Sequence, residues 1–139
     1  MVRLGQTIPA LPARDVAGAV AFYRDRLGFD VLHEDGGFAV LGRDEAVVHL
    51  WQAGDESWRR RDPGDPPVRS GAESFLAGTA SCRIAVEEVD ELYAELRPRD
   101  VLHRISRGGV SDTDFGSREF AALDLDGNLI TFFQWKAAS

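Results

Sequence analysis

The chain has 139 residues, 44% of them hydrophobic and 28% charged, which suits one compact unit or two very small lobes and is too short for an ordinary multidomain protein. Its 16 basic and 23 acidic side chains leave a net charge of −7, which disfavours diffuse attraction to nucleic acid or anionic lipid and fits a cationic ligand or partner better. Cys82 is the single cysteine, so an intrachain disulfide and a cysteine-rich metal knuckle are excluded; with no apolar run approaching the roughly 18 residues of a membrane span, a soluble, cytoplasmic protein is expected.

In chain order, TIPALPA (residues 7–13) is predicted to open as a strand. Asp15 then stands where a helix N-cap belongs, and Val16, Ala19, Val20, Tyr23 and Leu27 follow at helical spacing until Gly28 ends the run. FDVLHE resumes as strand, and FAVLGRDEAVVHLWQ (residues 38–52) reads as two strands around a turn at Arg43-Asp44-Glu45. Prolines 63, 66 and 67 with glycines 54, 64, 71 and 78 mark residues 54–78 as a linker. Beyond it, SCRIAVE is predicted as strand, and Val89, Leu92, Tyr93 and Leu96 as one helical face that Pro98 terminates. VLHRIS (residues 101–106) is the next predicted strand, before a second hairpin in FAALDLDGNLITFFQ (residues 120–134).

The two hairpins match without a gap at an offset of 82, with identities at Phe38/Phe120, Ala39/Ala121, Leu41/Leu123, Asp44/Asp126 and Gln52/Gln134. Each half therefore reads as strand, helix and three strands, giving one βαβββ module over residues 1–53 and a second over 79–139. A unit of that size buries one face of its sheet, so the two must share a core. An α+β fold follows, with a curved mixed sheet whose open side forms a concave groove. Alternation sets Val47, His49 and Trp51 against Val48 and Leu50, and Leu129, Thr131 and Phe133 against Ile130 and Phe132. One set packs under the helix and the other lines the hollow.

With the repeat, ARDVAGAVAFYRDRLGF and the terminal DLDGNLITFF, the chain resembles the vicinal oxygen chelate (glyoxalase/bleomycin resistance/dioxygenase) superfamily over nearly its whole length. SCRIAVEEVDELYAEL and FGSREFAALDLDGN make it most similar to the bleomycin-resistance, bleomycin-binding branch. The resemblance implies a divalent metal in the enzymes, held by His, Gln or Glu on the first and last strands of each copy. Those positions fall here at Ile8, His49, Ser81 and Thr131, of which only His49 is a useful ligand. His33 and His103 would have to converge on His49 to rescue such a site, so no metal and no cofactor are expected. Cys82 lies mid-strand without a helix N-terminus to activate it, Gly36-Gly37 and Gly108-Gly109 carry no phosphate-loop pattern, and Glu87/Glu88 sit at a helix start.

The branch implies sequestration without catalysis: a homodimer, formed with exchange between subunits, stacks a flat bithiazole on aromatic rings and meets a cationic tail with carboxylates. By that resemblance Phe38, approached over Gly36 and Gly37, and Phe115, beside Gly116, form the stacking pair, although Phe38 is open to a core reading through its repeat mate Phe120. His33 replaces an aromatic found in some relatives, and Trp51 either widens the aromatic floor or serves as core or dimer contact. Trp58, among arginines in the linker, is a lid or a dimer contact; Asp35, with Glu34, Asp55, Glu56, Asp112 and Asp114, supplies acidic charge nearby. The competing readings are a metal-dependent enzyme of glyoxalase, dioxygenase or thiol-transferase type, a binder of another planar or cationic small molecule, and a scaffold whose hollow is filled by side chains.

Overall fold

Alternation in residues 38–52 sorts the side chains as expected. In a computed structural model, which describes residues 1–53, 62–64 and 76–137, Ala39, Leu41, Val48 and Leu50 are fully buried, whereas Phe38, Val40, His49 and Trp51 are half-buried on the opposite face. The elements are β1 (Ala10–Ala13), α1 (Val16–Asp25), β2 (Asp30–Glu34), β3 (Phe38–Arg43), β4 (Ala46–Gln52), β5 (Ser81–Ala85), α2 (Val89–Leu96), β6 (Ser111–Asp112), β7 (Ser117–Leu123) and β8 (Leu129–Trp135). They form two four-stranded mixed sheets of the same plan, β1-β4-β3-β2 and β5-β8-β7-β6, with β1–β4 and β5–β8 parallel. The hollow expected from one curved sheet is thus divided between two sheets, each with an open face. Trp58 and most of the 54–78 linker lie outside the described residues.

The helix faces read from sequence pack inward. Val16, Ala19, Val20 and Tyr23 of α1 join Leu11, Leu41 and Leu50 in one core that also contains Val89, Leu96, Phe120 and Ile130 from the second half. Each fully buried aliphatic or aromatic side chain contributes about 1.5–3 kcal/mol, and among the described residues both halves contribute to this single core. Polar contacts fix the two halves at the β7–β8 turn. Tyr23 donates from its hydroxyl to Asp124 Oδ2 (2.9 Å), Asn128 donates from Nδ2 to the Pro12 carbonyl (2.9 Å), and the Arg14 amide donates to Asp126 Oδ1 (3.0 Å). Burial, and then the Asp124 carboxylate, push the Tyr23 phenol well above its ordinary value, so it acts as a neutral donor.

Asp15 occupies the N-cap position of α1, but its side chain makes no capping hydrogen bond. Gln52 at the end of β4 accepts from the Val16 amide instead (3.3 Å), and its repeat mate Gln134 accepts from the Val89 amide at the start of α2 (3.0 Å). The Gln52/Gln134 identity therefore reports a strand that satisfies the first free amide of each helix.

VLHRIS does not form the third strand of the second half. It makes one bridge, Leu102 to Ala122, and then winds into a short 3-10 turn, Arg104–Ser106, after another at Arg97–Arg99. His103 is held there, its Nδ1 accepting from the Ile105 amide (3.1 Å). The strand beside β7 is the two-residue β6. The cause is chain length: Ala10 opposite His49 and Arg83 opposite Thr131 are equivalent pairs, 73 residues apart on the first strand and 82 on the last. Most of the nine extra residues lie between α2 and β7, too many for a direct connection.

The hairpin alignment is also displaced by one residue. Phe38 pairs with Trp51, while Phe133, the mate of Trp51, pairs with Glu119. The spatial counterpart of Phe38 is therefore Glu119, and Phe120, paired with buried Phe132, corresponds to Ala39. One extra residue in the second turn accounts for the slip: Arg43 and Ala46 close around two residues, whereas the Asp124 amide reaches the Asn128 carbonyl across three.

Candidate functional site

Strand register brings rings together on the open face of the first sheet. Phe38 lies 4.5 Å from Trp51 and 5.1 Å, edge-on, from His49, and His33 stands 5.8 Å away on its other side. His33 reaches this face because β2 carries an irregularity: Val31 faces Leu41 but His33 faces Val40, so the bulge turns the imidazole to the side opposite the core. Asp35 braces the turn that follows. Its Oδ1 accepts from the Gly37 amide (3.0 Å) and its Oδ2 meets His33 Nε2 (3.2 Å); the Gly37 N–H, and then His33, hold its carboxyl below the usual carboxylate range. A Cβ built at Gly36 meets nothing within 4 Å, and one at Gly37 makes only ordinary contact with Gln52, so the approach to Phe38 is open.

Phe115 and Gly116 belong to the second sheet. Phe115 is 59% exposed and Trp135, at the end of β8, is 61% exposed, with their rings edge-to-face at 6.4 Å. Phe133 packs edge-to-face on Trp135 at 5.3 Å, and the Arg83 guanidinium lies 4.8 Å from the Phe133 ring and 5.9 Å from Phe115. Gly116 adopts φ +96°, so the turn that presents Phe115 needs glycine for its own backbone. The predicted residues thus separate into a first cluster of His33, Asp35, Gly36, Gly37, Phe38 and Trp51 and a second of Phe115 and Gly116. Trp135 and Arg83 are not among the residues to which the sequence points. Extending the alternation of residues 129–133 by one step would have placed Trp135 beside Phe133. Of the candidate carboxylates, Asp112 is committed to Arg118 (3.3 Å) and Lys136 (3.2 Å), while Glu34 and Asp114 are exposed.

The family model of the Glyoxalase/Bleomycin resistance protein/Dioxygenase superfamily matches residues 3–132. The chain belongs to that superfamily. It is 51% identical over 129 residues to the bleomycin resistance protein of Geobacillus stearothermophilus, spanning 93% of this chain and 96% of that one, and matches the bleomycin resistance protein of Staphylococcus aureus to the same extent. Among solved structures it is similar to the bleomycin-binding protein from bleomycin-producing Streptomyces verticillus complexed with copper(II)-bleomycin, at 26% identity and a TM-score of 0.71 over the whole of both chains.

The superfamily's enzymes imply a metal, and the donor set here does not fit one. His49 packs its ring on Phe38 on the first sheet, Ser81 and Thr131 belong to the second, and Ile8 offers no donor. One imidazole with two hydroxyls cannot strip a divalent ion of its water. Among the described residues no three His, Cys, Asp or Glu side chains gather as a metal site.

Cys82 is no better suited to nucleophilic chemistry, because it takes the core side of β5 opposite Ile130, and burial pushes its thiol up to about 11. At pH 8 roughly one thiol in a thousand is ionised, so alkylation by iodoacetamide should run about a hundredfold more slowly than for a free thiol of pKa about 8.5. The rate should rise as pH approaches 11, and rapid labelling at pH 8 would show that β5 opens.

A cleft of about 780 Å³ lies elsewhere, between the β3–β4 turn and α2, with Asp44, Glu45, Glu87, Glu88 and Glu91 at its walls. Arg43, at its wall, is already engaged with Glu95 through two hydrogen bonds of 2.7 and 2.8 Å. Neither ring cluster contributes to it.

Proposed function

We propose that this chain confers resistance to a bleomycin-type glycopeptide by holding the drug non-covalently, without making or breaking a bond. The observation that carries this reading is the presence of two half-open ring clusters on sheet faces turned away from the core, in a chain 51% identical to bleomycin resistance proteins. Flat heteroaromatic rings stack on such surfaces, and the net charge of −7 favours approach of a cationic tail. In the homodimer we infer, the first cluster of one subunit and the second cluster of its partner form the two walls of each groove.

Micromolar affinity requires about −8 kcal/mol, and two stacked aromatic contacts supply about 1–3 kcal/mol beyond the area they bury. Enclosure between two walls must therefore provide most of the binding energy, which is the physical reason to expect a dimer. Titration with bleomycin followed by tryptophan fluorescence should show saturable quenching through Trp51 and Trp135, and the protein should protect plasmid DNA from drug-induced strand cleavage. A flat titration at tens of micromolar drug, or drug recovered chemically altered, would overturn the proposal.

A further inference from the structure

We propose that Arg83 is a ligand-contacting residue that forms the planar floor of the second ring cluster, an inference that rests on the function proposed above. Cys82 and Ile84 take the core side of β5, so Arg83, opposite Thr131, emerges on the open face. Its side chain does not extend into solvent as a surface arginine ordinarily does. It crosses β8, lies over the Phe133 ring at 4.8 Å and ends 2.7 Å from Glu119 Oε2 on β7. The Ser117 hydroxyl donates to the same oxygen at 3.2 Å, which fixes the carboxylate that fixes the arginine.

Where Phe38 packs on Trp51 at 4.5 Å, the second sheet has Glu119 in place of Phe38 and Phe133 in place of Trp51. Arg83, whose counterpart is the small Ala10, supplies over Phe133 the flat surface that Phe38 supplies over Trp51. A guanidinium is planar, delocalised and weakly hydrated, so its outer face stacks with a heteroaromatic ring much as a phenyl ring does. The Arg83 side chain keeps 45% of its surface exposed, and its guanidinium also lies over the Phe115 ring, 5.9 Å from the centroid. Glu119 cancels the charge, so the floor does not repel a cationic ligand.

Lysine at this position would keep the charge and the partner Glu119 but remove the plane. R83K and R83A should therefore bind bleomycin roughly tenfold or more weakly than the unsubstituted chain, with reduced hypochromism of the bithiazole absorption at saturation, while R83K melts at the unsubstituted temperature. R83K with unchanged affinity and hypochromism, measured beside an unsubstituted chain that binds, would overturn the role of Arg83 and leave the proposed function standing. Failure of the unsubstituted chain itself to bind would overturn both.

Discussion

Replacing Asp124 by alanine is expected to cost about 4 kcal/mol of folding stability, because one buried carboxylate serves four donors. Its Oδ2 accepts from the Tyr23 hydroxyl (2.9 Å) and Asn128 Nδ2 (3.0 Å), and its Oδ1 accepts from the amides of Asp126 (3.0 Å) and Asn128 (2.9 Å). Tyr23 and Asn128 are fully buried, so water cannot substitute without opening the seam between the halves. Each stranded donor costs about 1–3 kcal/mol, reduced at the turn, where Leu125 is exposed and the backbone can relax. Against a total stability of about 5–15 kcal/mol, D124A would remove between about a quarter and four-fifths of what keeps the chain folded. D124N keeps one acceptor oxygen and should fall between D124A and Y23F, which removes a single donor and costs about 1 kcal/mol. Urea unfolding of the three variants tests the order; D124A within 1 kcal/mol of the unsubstituted chain would mean that the turn does not lock the halves together.

The asparagine of the same turn shows how much a repeat reveals and where it misleads. Asn128 Oδ1 accepts from the amides of Gly78 (2.9 Å) and Ala80 (3.2 Å), tying the start of β5 to a turn that the sequence shows only as DLDGN. The elements within residues 16–27, 38–52, 81–96 and 120–134 are legible because alternation and helical spacing are local properties. Pairing is not. Three identities, Phe38/Phe120, Ala39/Ala121 and Leu41/Leu123, join residues that lie on opposite faces, because the extra turn residue advances the second strand by one and reverses every side chain along it. VLHRIS failed as a strand for a related reason: its apolar character serves Val101 in the core and one bridge, and no local signal distinguishes that use from a strand. The bulge that brings His33 onto the ring face and the salt bridge that lays Arg83 over Phe133 depend on partners 36 residues or fewer away in sequence but on other strands, so neither was visible in residue spacing.

The same slip decides how two phenylalanines that look equivalent in sequence should behave. Phe38→Ala is expected to weaken bleomycin binding ten- to a hundredfold, equivalent to about 1.4–2.8 kcal/mol, while changing the melting temperature by no more than a few degrees. Phe38 faces away from the core, is only half-buried, and touches Trp51, His49 and His33, so its removal leaves those rings without their common neighbour and takes away one stacking surface. Phe120 is 2% exposed, packs tilted against Phe132 at 5.2 Å and edge-to-face with Tyr93 at 5.3 Å, and belongs to the shared core. Its alanine variant should lose about 3–5 kcal/mol of stability through the cavity it leaves, and any folded fraction should retain the affinity of the unsubstituted chain. Measuring both variants by thermal melting and by drug titration separates ligand contact from core packing. Equal losses of stability in the two would show that Phe38 supports the fold as Phe120 does, and the first ring cluster would then have no claim to the ligand.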